Sequence, residues 1–100
     1  MKHNKLIRDK IIDIINSKNE YAITHVASEG EYKIKLREKL LEEVNEFLKD
    51  ENKEEMADIF EVLNLICKSK EWGMEDVENL RKEKAEKRGS FDKRIILDET

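Results

Sequence analysis

The sequence contains no proline, one cysteine and three glycines, and only 6% of it is aromatic. With no proline and so little glycine, it argues against a β-sandwich or barrel, which needs a turn signal about every ten residues. Long helices, whose interiors reject both residues, are favoured instead. A single cysteine, Cys67, forms no internal disulfide. No run approaches the roughly 18 apolar residues needed to span a bilayer, and Met1-Lys2-His3-Asn4 does not open a signal peptide. These absences predict a soluble, cytoplasmic protein. A basic surplus is also missing: the net charge is −4, which predicts no nucleic-acid partner, and the lack of a spanning apolar run predicts no membrane partner.

What the chain does have is charge. Of its 100 residues, 44% are charged and 38% hydrophobic, and the length suits one domain spanning residues 1–100. Seventeen glutamates and seven aspartates have to be solvated, paired or gathered around a cation. A chain this short buries only about two-thirds of its extended surface. Broad apolar helix faces therefore predict association, as a homodimer or homotetramer.

Apolar residues recur at helical spacing from Lys5 to Asn16, with a stop near Asn19. Tyr21–Val26 is short and β-branched, a strand or an extended connector. Ser28 and Glu31 fit a capping box that starts a second helix over Glu29–Lys49. Asp50–Lys53 reads as the turn of an antiparallel hairpin, and Asn52 as the N-cap of a third helix reaching about Lys70, ended by Gly73. A fourth runs from about Glu75 to Lys87 and stops at Gly89. Phe91–Leu97 reads as a short strand that pairs, if at all, with Ile23–Val26. The expected fold is all-α: a small bundle of about four helices with at most a minor β element.

Two acidic clusters stand out, Glu42-Glu43-x-x-Glu46 and Glu55-x-x-Asp58. Several other E-x-x-E pairs share that spacing, so position relative to the apolar stripe has to separate them. At about 100° per residue, Leu36, Leu40, Leu41, Val44, Phe47 and Leu48 share one stripe, with Glu43 roughly 85° from its centre and Glu46 about 60° farther. Glu55 lies at the edge of the stripe formed by Met56, Ile59, Phe60, Leu63, Ile66 and Cys67, with Asp58 about 60° beyond in the same sense. Facing antiparallel helices put equal offsets on one side, and the short turn sets Glu46 level with Glu55 and Glu43 level with Asp58. Carboxylates gathered there repel unless protonated or bridged by a cation. Oxygen-only ligands without a nearby histidine or thiol point to Mg²⁺ or Mn²⁺, and Mg²⁺ commonly takes phosphate as a further ligand. Glu55 has a plainer rival role, completing a capping box with Asn52.

At these residues the sequence resembles the MazG-like all-α nucleoside triphosphate pyrophosphohydrolases, whose signature is E-E-x-x-E followed by E-x-x-D. Lys5-Leu6-Ile7-Arg8-Asp9-Lys10-Ile11 and Arg88-Gly89-Ser90-Phe91 resemble its phosphoribosyl-ATP pyrophosphohydrolase-like branch. The eight residues between Glu46 and Glu55 make a shorter gap than the family's usual one. The resemblance implies hydrolysis of a nucleoside triphosphate between its α and β phosphates, giving a monophosphate and pyrophosphate. It also implies Mg²⁺ held by Glu43, Glu46, Glu55 and Asp58, with Glu42 nearby as a further ligand, behind them, or solvated. Among the basic residues of the opening and closing segments, Arg8, Lys84, Arg88 and Arg94 are candidates for gripping phosphates.

Other residues read plainly. His3 and His25 lack metal-ligand spacing, Cys67 reads as a small buried hydrophobe, and Trp72 as a plug for the bundle end or a subunit interface. Two alternatives to the nucleoside triphosphate reading are a non-catalytic helical interaction module and a hydrolase of a phosphoribosyl-nucleotide.

Overall fold

A computed structural model of the protein describes residues 2–100; Met1, the first residue of the opening discussed above, lies outside the described residues. Four helices follow in order: α1 (Ile11–Ser17), α2 (Glu29–Lys49), α3 (Lys53–Ser69) and α4 (Met74–Arg88). The all-α expectation holds. No strand occurs among the described residues, so the minor β element is absent. Tyr21, Ile23, Val26 and Phe91 are almost fully exposed, and Ile95–Leu97 nearly so. With no edge to pair against, their β-branched character is not enough to make a sheet. No described helix is long and apolar enough to cross a membrane.

The caps explain why α2 and α3 begin where they do. Ser28 Oγ accepts a hydrogen bond from the Glu31 amide at 3.2 Å, and Asn52 Oδ1 accepts one from the Glu55 amide at 2.9 Å. Each side chain satisfies one of the orphan donors of a first helical turn. In neither case does the glutamate carboxylate reach back to its cap; Glu31 instead meets His25 Nε2 at 2.9 Å.

The end of α3 departs from expectation. Glu71, not Gly73, takes the left-handed conformation, with φ 59°. The Trp72 amide donates to the Cys67 carbonyl at 2.9 Å and the Glu71 amide to the Lys68 carbonyl at 3.1 Å, which is a Schellman closure. Gly73 then serves as the N-cap of α4.

The first helix is shorter than expected. Helical geometry starts only at Ile11, and Asn4–Lys10 forms a strap across the hairpin. Lys35 Nζ donates to the Asn4 carbonyl at 2.9 Å, Lys5 Nζ meets Glu42 at 3.1 Å, and Arg8 meets Asp58 at 2.7 Å. These long-range partners take over the charged heads that a helix would have pointed into water.

Among the described residues only α2 and α3 pack extensively on each other. Leu36, Val62 and Cys67 are the buried ones among the described residues, which bears out Cys67 as a core hydrophobe. Trp72 remains half exposed under the Lys70 ammonium, 5.5 Å from the ring centroid, and plugs nothing within one chain. The radius of gyration is 17.9 Å, against about 13 Å for a compact 100-residue domain. The four helices thus form a packed hairpin with two flanking helices, not a closed bundle.

Candidate functional site

The rotation of α2 sets the site. Leu36, Leu40, Val44 and Phe47 turn toward α3, whereas Leu41 and Leu48, expected in the same stripe, point outward and are each 65% exposed. That rotation carries Glu43 inward, so its side chain is only 12% exposed. On α3 the inward residues centre on Val62, with Glu55 and Asp58 both half-buried beside them.

One carboxylate oxygen from each of Glu43, Glu55 and Asp58 lies within 4.8 Å of the others. These are three of the four carboxylates singled out in the sequence, drawn from both helices. Glu46 lies outside this group, although its charge acts on Glu55. One turn from Glu43 on α2, it sits about 60° round the helix. Glu42 is held by Lys5 of the strap and by Lys39 of its own helix. The capping role open to Glu55 is filled by its backbone alone, which leaves its carboxylate to the cluster.

Two cations flank the acids. Arg8 lies 2.7 Å from Asp58, and Lys39 Nζ lies 3.3 Å from both Glu43 and Glu42. The sequence reading assigned no role to Lys39; the Lys39–Glu43 spacing of i,i+4 was the available signal. Glu55 has no ion pair among the described residues. Its carboxyl is pushed up by partial loss of solvent and then by the charges of Asp58, Glu46 and Glu43. Glu42 moves the other way. Burial raises it, but the hydrogen bonds and charges of Lys5 and Lys39 outweigh that and hold it below the usual range. Arg8 is raised first by its hydrogen bond to Asp58.

Of the other basic candidates, Lys84 and Arg88 lie on α4 and Arg94 in the tail, and no ion pair or hydrogen bond joins them to the acidic trio. Among the described residues, no histidine or cysteine joins the cluster, so its donors are oxygen only. Ligand oxygens around a cation at about 2.0–2.6 Å lie roughly 3–5 Å apart, so the trio suits a hard divalent ion after at most slight closure. No family model matches this chain, and neither a curated protein nor a solved structure matches it.

Proposed function

We propose that this chain hydrolyses a nucleoside triphosphate, or a related nucleotide, between the α and β phosphates, releasing a monophosphate and pyrophosphate. Glu43, Glu55 and Asp58 hold the Mg²⁺ or Mn²⁺, and Glu46 flanks them. The observation that carries this reading is the convergence of the three carboxylates from two helices to within 4.8 Å. It is supported by the raised carboxyl of Glu55, an uncompensated charge that a cation relieves. It is supported further by the resemblance of the acidic motifs and both terminal segments to the MazG-like pyrophosphohydrolases.

A bound divalent ion supplies charge neutralisation on the phosphates and an oriented water. The chain supplies the remaining parts. The two-helix frame fixes the carboxylates without ordering a loop. Arg8, which pairs with Asp58, meets a phosphate oxygen near the same site in this reading.

The test is pyrophosphate release from a panel of nucleoside triphosphates and phosphoribosyl-nucleotides in the presence of Mg²⁺. Glu43→Gln or Asp58→Asn is expected to lower turnover by about 100-fold or more, with helical content retained. Absence of release from every nucleotide by folded protein overturns the reading.

One observation favours a second reading, a non-catalytic helical interaction module. Arg8 and Lys39 already neutralise two of the three carboxylates from within the chain. Thermal melts separate the two readings, because only a metal site is stabilised as RT ln(1 + [L]/Kd) when Mg²⁺ replaces EDTA.

A further inference from the structure

The two cations beside the acidic trio are held in different ways. Lys39 belongs to α2, its side chain is only 19% exposed, and it serves both Glu42 and Glu43. Arg8 comes from the strap, outside the helices. Its side chain is 60% exposed, and Asp58 is its one ion-pair partner among the described residues. Lys39 is therefore part of the helical frame, whereas Arg8 reaches the trio through a long, solvated side chain.

The backbone under Arg8 is tied independently of its side chain. Lys35 Nζ donates to the Asn4 carbonyl at 2.9 Å, Lys5 holds Glu42, and the Ile11 amide donates to the Arg8 carbonyl at 3.0 Å as α1 begins. Leu6, between those ties, is half-buried. The guanidinium also has a second place to go. Glu61 stands exposed one turn beyond Asp58 on α3, about 4.5 Å farther along the axis. Its charge already acts on Arg8.

Charge decides where the guanidinium sits. Three carboxylates converge, Lys39 and Arg8 offset two of them, and Glu55 is left over. A divalent ion on the trio changes that count. With Lys39 in place the three negative charges are then matched, and Arg8 becomes a surplus positive charge beside a dication, which repels it. An exposed pair such as Arg8–Asp58 is worth only a factor of about two to five in an equilibrium constant, so the ion prevails.

We infer that Arg8 is a built-in counter-ion of the trio that exchanges with the divalent cation: metal entry drives its guanidinium off Asp58 toward Glu61, and metal loss brings it back. The inference rests on the metal reading proposed above and gives that site a regulation within the chain. In the metal-free protein Arg8 relieves repulsion among the acids and makes every cation compete for Asp58. Once released, it is free to meet the phosphate oxygen of the proposed reaction, so anion capture follows metal loading.

Mn²⁺ binding to the full chain tests the exchange, measured by electron paramagnetic resonance or calorimetry on wild type, Arg8→Gln and Lys5→Gln. Arg8→Gln is expected to bind Mn²⁺ about two- to fivefold more tightly than wild type, because the competitor is gone. Lys5→Gln removes the same charge from the same strap but leaves Asp58 alone. It is expected to stay near wild type in physiological salt, where separated surface charges are screened. In wild-type protein, nuclear Overhauser contacts of the Arg8 side chain are expected to pass from Asp58 to Glu61 as Mg²⁺ is added. Their midpoint should match the shift of the Glu55 amide, and this measurement decides the matter if Arg8→Gln does not fold. Equal or weaker Mn²⁺ binding by folded Arg8→Gln overturns the inference and leaves the metal site standing. So does an equal gain from Lys5→Gln, or an Arg8 that stays on Asp58 while the Glu55 amide responds. Absence of Mn²⁺ binding by all three proteins overturns the inference and the metal reading together.

Discussion

The α2–α3 hairpin and α4 are built from similar material, glutamate- and lysine-rich segments without proline, yet only the hairpin packs. Along α2 and α3 the apolar residues return every three or four positions for the whole length, and Leu36 and Val62 are buried between the helices. In α4 the pattern fails after Leu80. Met74, Val77 and Leu80 stay 45%, 39% and 57% exposed, and the last two turns are almost wholly charged. Helix α4 keeps acids in its first turn, bases in its last, and the Glu78–Arg81 pair. Those features support a helix without docking it. Intrinsic propensity makes the helix; a sustained apolar period gives it a place.

The largest expected effect sharpens that contrast. Leu36→Ala empties a site only 2% exposed, and is expected to cost about 2–5 kcal/mol in a denaturation experiment. Leu80→Ala, at a half-exposed site of α4, is expected to fall within about 0.5 kcal/mol of wild type. Equal losses would mean that α4 is docked after all.

The same contrast explains which features were legible in the sequence. Caps are local, so Ser28 and Asn52 gave the starts of α2 and α3 correctly, and Gly89, with φ 82°, marks the end of α4 as expected. Three of the four acidic site residues converge because spacing on two facing helices largely fixes where they meet. Helix rotation was not legible. A stripe averaged over Leu41 and Leu48 points elsewhere than the face α3 selects, and that error placed Glu43 at the edge when it lies near the contact line. Nor was the strap legible, since its partners Glu42 and Asp58 lie 37 and 50 residues away from Lys5 and Arg8. The missing β pairing has the same cause: a strand needs an edge, and the described residues offer none to Ile23 or Ile95.

A smaller effect is expected at the joint between the two regions. Glu71 holds a left-handed conformation that costs an L-residue about 1 kcal/mol, and its amide and that of Trp72 close the end of α3. Glu71→Gly removes that strain at the cost of a more flexible unfolded chain. The expected net gain is about 0.5 kcal/mol, measured by thermal or urea denaturation. A loss would mean that the Glu71 side chain holds the two regions together.

The smallest effect sets one glutamate from each region against the other. Glu55 in the hairpin is raised, first by partial loss of solvent and then by neighbouring acids, whereas Glu78 on α4 is lowered by its hydrogen bond from Arg81. A raised carboxyl contributes stability that is complete below the ordinary glutamate value and lost as pH rises through its folded pKa; a lowered one contributes stability present above the ordinary value and lost as pH falls through its folded pKa. Near neutral pH without divalent cations, Glu55→Gln is therefore expected to be more stable than wild type and Glu78→Gln less stable. Both differences should shrink toward zero in acid. Because Arg81 and Glu78 are open to water, salt should weaken the Glu78 difference. Saturating Mg²⁺ should erase the advantage of Glu55→Gln, since a cation on the trio removes the same penalty that the substitution removes. An advantage that survives both acid and Mg²⁺ would trace to side-chain packing, and the contrast in charge between the two regions would fail.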